Sequence, residues 1–336
     1  MGNAATVFHL TRSIALPGDS TLPAVTGAHL QVEGSDNSIY PLTETGNGYY
    51  SSPAIRMNTA TRYRLHITNV NKEEYLSDYV PFKPTPPIDS VNWIYDSTGV
   101  NFYTTTHDPT GKTRFYDWKC IETWEVTASE GSIYVYQGDT MAKRTPAQQI
   151  DTCWHTDSSA DILVGTSEQL EQDEIFQHHL LYVPINTEQI GIEYSLLVDQ
   201  YALTDSGYNF LNLMRSNSEQ LGSIMDPQPS QITGNIHSKT NPTEPVLGFV
   251  SAGTVQQTRI FITRNQVPNW LYYFECPGQD FEVGPGQYQF YFGRDIYTPI
   301  GPGAAGVYAN YASCIDCRLR DGFVNQNANQ KPAFWH

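Results

Sequence analysis

Alternating apolar and polar positions dominate the first third of the chain. Val25, Ala28, Leu30 and Val32 form an inward row, and Tyr63, Leu65 and Ile67 alternate with Arg64 and His66. Period-two alternation is the signature of a half-buried strand. Asp36-Asn37 and Asn47-Gly48 are turn signals that lead into Ile39–Leu42 and Tyr49-Tyr50. Such signals recur at roughly the 8–12 residue spacing of a β-sandwich. Residues 1–85 therefore read as an immunoglobulin-like sandwich, in which Tyr63 either forms a tyrosine corner or simply packs. Phe82-Lys-Pro-Thr-Pro-Pro87 follows as a semi-rigid linker.

A second strand series begins beyond it, at 91–95, 100–106, 115–126, 133–136, 162–165, 179–185 and 194–203. One helical pattern interrupts it. Thr204 or Asp205 can cap a helix with Tyr208, Leu211 and Met214 on one side, and Gly222 can stop it. Pro227 and Pro229 stiffen the loop around Gln228, Gly234-Asn235 is a turn, and Leu247–Ala252 starts an apolar strand that resumes at Ile260–Ile262. The pattern predicts an all-β protein of two tandem β-sandwich domains, immunoglobulin-like over 1–85 and fibronectin-like over 86–336. The second carries a helical insertion at about 204–236 and an irregular C-terminal region. Insertions on β scaffolds often carry binding function. The plainer alternative is a structural plug over one end of the sandwich.

Composition narrows the function classes. With 22 Tyr, 21 Pro and 25 Gly but only 16% charged residues, the chain suits a turn-rich β fold and not global disorder. A net charge of −16 disfavours nucleic acid and polybasic adsorption to anionic lipid. No apolar run approaches the roughly 20 residues of a membrane-spanning helix. The opening Met1-Gly-Asn-Ala-Ala-Thr6 shows no signal peptide, so the chain is either cytosolic or begins after a targeting segment. Four of the five cysteines, Cys153, Cys276, Cys314 and Cys317, sit in turns or at strand ends, which suits an oxidising compartment and favours the second option.

Cys314-x-x-Cys317 has metal or redox spacing, but a second zinc pair and a βαβ context are both missing, so cystines are expected. Cys276 is the nearest upstream partner for one of the two, and Cys120 with Cys153 can bridge neighbouring strands. Five cysteines leave one odd and the connectivity open. His178 and His179 point to opposite faces of a strand and cannot chelate one metal together. Asp108, with Pro109 and Gly111, reads as a turn and not as a calcium loop. The 35 carboxylates permit a glycosidase pair, but no spacing selects one, and hydrolase and phosphate-loop motifs are absent. No catalytic residue, metal site or cofactor is expected. The binding candidates are Tyr208, Asp226, Gln228 and Asn235 in the insertion, and Trp270, Tyr272 and Tyr273 as an aromatic platform for sugar or peptide.

An ordered set of short motifs carries a resemblance over nearly the whole chain. It comprises Leu42-Thr-Glu44, Gly48-Tyr49, Pro86-Pro-Ile-Asp-Ser-Val91, Trp118, Glu122-Thr-Trp124, Cys153-Trp154 and Gln200-Tyr201. It continues with Tyr208, Gly222-Ser-Ile224, Asp226-x-Gln-Pro-Ser230, Gly234-Asn-Ile236, Leu247-Gly-Phe249, Cys314-x-Asp-Cys317 and Pro332-x-Phe-Trp335. Together these resemble a Bacteroidota family known as domain of unknown function 4249, whose members look like secreted lipoproteins encoded beside TonB-dependent outer-membrane receptors. The resemblance implies a lipid-anchored protein at the outer membrane and a TonB-dependent receptor as partner. The lipoprotein signal and anchoring cysteine of the family are not seen at Met1–Thr6, so this chain is expected to start after them. No catalytic residue carries over. The expected role is an accessory, lid or ligand-capture subunit of the transporter. The alternatives are a carbohydrate-active or proteolytic hydrolase on a β scaffold and a structural adhesin-like module.

Overall fold

A computed structural model describes residues 5–13, 22–219, 232, 234–274, 276, 278–322 and 328–336. The first strands are β1 (Thr6–His9), β2 (His29–Gly34), β3 (Ile39–Gly46), β4 (Tyr49–Ser52), β5 (Arg62–Thr68), β6 (Glu74–Ser77) and β7 (Val80–Lys83). Then come β8 (Ile88–Tyr95), β9 (Gly99–His107), β10 (Phe115–Thr127), the hairpin β11 (Tyr134–Gln137) and β12 (Thr140–Lys143), β13 (Thr152–Ser158), β14 (Leu163–Thr166), β15 (Glu174–Pro184) and β16 (Glu193–Ala202). Helix α1 (Asp205–Glu219) precedes β17 (Ile236–Ser238), β18 (Ala252–Gly253) and β19 (Val255–Thr263). The C-terminal part holds β20 (Phe281–Val283), α2 (Tyr288–Phe292), β21 (Tyr297–Pro302), β22 (Val307–Tyr311) and α3 (Ala312–Ile315). The protein is all-β, and among the described residues its strands pair antiparallel with one exception, β18 on β7.

The N-terminal sheet runs β1-β4-β3-β2-β5-β6-β17, with β7 on β5 and β18 on β7. Its core contains Leu30, Val32, Tyr63, Leu65 and Ile67, the residues of the alternating rows. Asn47 and Gly48 both take positive φ, 50° and 76°, the conformation of a two-residue hairpin turn between β3 and β4. Tyr63 is buried, and its hydroxyl accepts the Asn58 N–H at 2.6 Å, a link to the chain five residues upstream like that of a tyrosine corner.

The second core lies between two sheets. One runs β13-β10-β16-β19 with β14 on β10, the other β15-β9-β8. Both contribute to one cluster that includes Phe102, Trp118, Tyr194, Leu196 and Leu180. Gln200 sits in this core, fully buried. Its Oε1 accepts the Trp118 indole N–H at 2.8 Å, and its Nε2 donates to the Pro86 carbonyl at 2.9 Å and the Thr106 hydroxyl at 3.0 Å. The proline segment is thus no free spacer. Thr85 and Pro86 are buried, and Thr85 also bonds to Thr254 and Ala202.

Beyond β16 the chain departs from expectation. Leu247–Ser251 is not a strand of the second sandwich, and β18 instead extends the N-terminal sheet. The cause is a close backbone crossing. A Cβ on Gly234 would lie 1.7 Å from the Gly248 carbonyl oxygen, and Gly248 has φ +144°. Only glycines permit that approach, and it bends the segment away from an extended course.

The five cysteines also sort differently. Cys153 pairs with Cys317, and Cys276 with Cys314. The Cys120–Cys153 bridge, one of the pairings left open, is absent because the β10–β13 register puts Cys153 opposite Val126, and Cys120 is a buried free thiol. A small third core of Val283, Phe292, Val307 and Ala309 takes up Tyr288 and Tyr291. His178 stacks on Trp118 at 4.5 Å while His179 is exposed. Asp108 accepts the N–H groups of Thr110, Lys112 and Thr113, as a turn-forming carboxylate does. Among the described residues no group of three or more His, Cys, Asp or Glu is placed to hold a metal ion, and no helix is long and apolar enough to cross a membrane.

Candidate functional site

Helix α1 is the element around which a cleft forms. The Thr204 hydroxyl accepts the Gly207 N–H at 3.1 Å, and its carbonyl accepts the Tyr208 N–H at 2.9 Å, so Thr204 is the cap. Two ring contacts then fix the helix. Tyr208 packs on Phe115 of β10 with centroids 5.0 Å apart, and Phe210 packs on Phe249 at 5.2 Å. Opposite the helix lie the β6–β7 turn and the Gly234-Asn235 crossing.

Between these walls is a cleft of about 640 Å³, within the range of small-molecule sites. Asp205, Asn209 and Leu213, at i, i+4 and i+8, give the helix side two exposed polar residues and a half-buried apolar one. Tyr79 on the turn and Pro81 in β7 face them. Arg62 donates to the Tyr79 carbonyl from Nε at 3.1 Å and Nη2 at 2.5 Å, which fixes the turn and leaves a cation at the rim. Two carboxylates line the cleft among the described residues. Asp78 on the turn and Asp205 at the helix start stand on separate walls, and both are exposed. This supports ligand binding through hydrogen bonds and apolar contact.

Asn235 is the expected site residue that reaches the cleft. It is buried, and its side chain clamps Val250, donating from Nδ2 to the carbonyl at 2.9 Å and accepting the N–H at 2.8 Å. Its role is to hold the wall. Tyr208 lies on the β10 side of α1, outside the cleft lining, and anchors the helix. Asp226 and Gln228 lie outside the described residues.

The aromatic platform does not form as expected. Trp270 is fully buried, donating its indole N–H to the Thr187 carbonyl at 2.9 Å, and Tyr272 is half-buried with its hydroxyl on Glu188 at 3.1 Å. Both pack against the second core, and of the three only Tyr273 is strongly exposed. Sequence reasoning missed Asn209, Leu213, Tyr79 and Phe249. The first two were detectable as a second helical face at i+4 spacing. Tyr79 and Phe249 meet the helix from remote segments and leave no local signal.

A profile of the family described as domain of unknown function (DUF4249) matches residues 1–259, well over half of the chain. The chain belongs to the DUF4249 family. The residues named on both walls of the cleft fall inside the DUF4249 match, whereas the C-terminal disulfide region lies beyond it. None of the curated proteins compared matches the chain.

Proposed function

We propose that the protein is a lipid-anchored lipoprotein of the outer membrane that captures a sugar or peptide ligand as an accessory or lid subunit of a TonB-dependent transporter. The observation that carries this proposal is the cleft of about 640 Å³ between α1 and the N-terminal sheet, built from residues within the family match. Its walls, which combine polar and apolar side chains, suit reversible capture of a small polar molecule. Two disulfides at the C-terminal side suit an oxidising compartment. The location and the receptor partner rest on the motif resemblance.

The test is affinity purification of the lipidated full-length form from native membranes, with mass spectrometry of the co-purifying proteins. A stoichiometric TonB-dependent barrel supports the proposal. Its absence, under detergent conditions that preserve known receptor–lipoprotein pairs, overturns it. Asn209→Arg, at an exposed helix position on the cleft wall, should lower ligand uptake without lowering the yield of folded protein.

A further inference from the structure

A second cavity, of about 360 Å³, lies on the inner side of α1. It is lined by the N-terminal sheet, the helix, the 249–254 segment, and the face of the β10–β16 sheet that points away from Trp118, and it opens to solvent. Much of its wall is apolar: Phe8, Val32 and Met57 come from the N-terminal side, and Leu211 and Phe249 from the other. Into this wall the sheet places one carboxylate. Asp117 alternates with the core residues Tyr116 and Trp118 along β10, so its side chain is on the cavity face.

Asp117 is 9% exposed, and among the described residues no hydrogen bond acts on its carboxylate. Its neighbour on the same sheet face provides the contrast. Asp199 is equally buried but accepts the Gln257 amide at 2.9 Å. The cation acting on Asp117 is Lys119, which also lines the cavity but is exposed, its ammonium 5.6 Å from the Tyr201 ring centroid. Arg64 also borders the cavity, but its guanidinium is held at 2.6 Å by Glu33. Helix α1 contributes only Gly207, Phe210 and Leu211, with no charge. Burial drives the Asp117 carboxyl up to about 6 against the pull of Lys119. A largely desolvated carboxylate without a protein donor is costly, and the ligand-sized cavity that it lines is where a donor can reach it.

We propose that this cavity binds a small apolar molecule bearing a primary amine, with the ammonium group donating to Asp117. The apolar walls take the body of the ligand, and the carboxylate selects a cation over an anion of the same shape. The site shares Phe210 and Phe249 with the outer cleft but is otherwise lined by different residues, and its occupancy does not require a receptor.

The test uses the full chain and two isosteric probes, 2-phenylethylamine and 3-phenylpropionate, titrated by calorimetry at pH 7.5. The amine should bind with 1:1 stoichiometry and at least tenfold tighter than the acid. Asp117→Asn should weaken the amine at least tenfold. Leu211→Trp, which fills the cavity and leaves Asp117 intact, should abolish binding. As pH falls through about 6, Asp117 takes up a proton while the amine stays charged, so affinity should fall. Three results overturn the proposal: no amine binding at millimolar concentration, equal affinity for the two probes, or unchanged affinity in Asp117→Asn. Should that variant fail to fold, Leu211→Trp decides alone, with retained binding refuting the site.

Discussion

Gln200 is the most informative position for stability. Gln200→Leu keeps the volume similar and removes three hydrogen bonds at once. Thr106 retains a bond to the Pro87 carbonyl, so the uncompensated losses are the Trp118 indole N–H and the Pro86 carbonyl. Each orphaned buried group costs about 1–3 kcal/mol. The greater apolarity of leucine offsets about 1 kcal/mol. The net loss is then about 1–5 kcal/mol. Urea unfolding at pH 7, followed by tryptophan fluorescence and far-ultraviolet circular dichroism, reads it directly. With a slope of about 2 kcal/mol/M, the transition of the second sandwich should move down by about 0.5–2.5 M. Because Pro86 belongs to the docked linker, the amides of Thr85 and Ala202 should also exchange faster with deuterium. A midpoint shift under about 0.25 M, or unchanged exchange at those amides, refutes the assignment of Gln200 as the pin between linker and core.

Other predictions follow from single contacts. Cys317→Ser opens a loop of 164 residues, for which chain entropy gives a loss of about 5 kcal/mol, measurable as a lowered denaturant midpoint under oxidising conditions. Cys120 is buried, and burial with the nearby Glu122 charge pushes its thiol up to about 12, so the native protein should show no rapid reaction with a thiol reagent and one equivalent on unfolding. Burial tends to raise the Glu33 carboxyl, but hydrogen bonds from His66, Arg64 and Gln31 outweigh it and bring it down to about 2. Its contribution, about 1–3 kcal/mol, is complete above the ordinary value of 4.5 and lost as pH falls towards 2. Glu33→Gln should therefore be less stable than wild type at pH 7 and equal to it near pH 2.

The parts of the fold legible in the sequence were those with local period. Leu30 and Val32, or Tyr63, Leu65 and Ile67, declare their strands because every second residue enters one core. The helix declared its start because a capping residue acts within one turn. β13 carries mostly polar residues and was not expected, since it earns its place by pairing with β10. The N-terminal half of β15 was hidden by irregular register between Ile175 and His178. Trp270 follows an irregular segment in which no period separates core from surface. Disulfide pairing and the cleft both depend on segments remote in sequence. Asn235 was legible as a turn, whereas its clamp on Val250 was not.

The return of residues 236–253 to the N-terminal sheet sets an order on the making of the molecule. A chain delivered from its N-terminus first, by a ribosome or through a secretion channel, presents β1 to β7 long before β17 and β18 exist. Until then the edges on β6 and β7 have unpaired backbone groups, and such edges invite pairing with another chain. The sheet can close only after β8 to β16 have emerged. Completion of the first unit therefore waits for most of the second, and an excised fragment ending near residue 85 would be expected to self-associate.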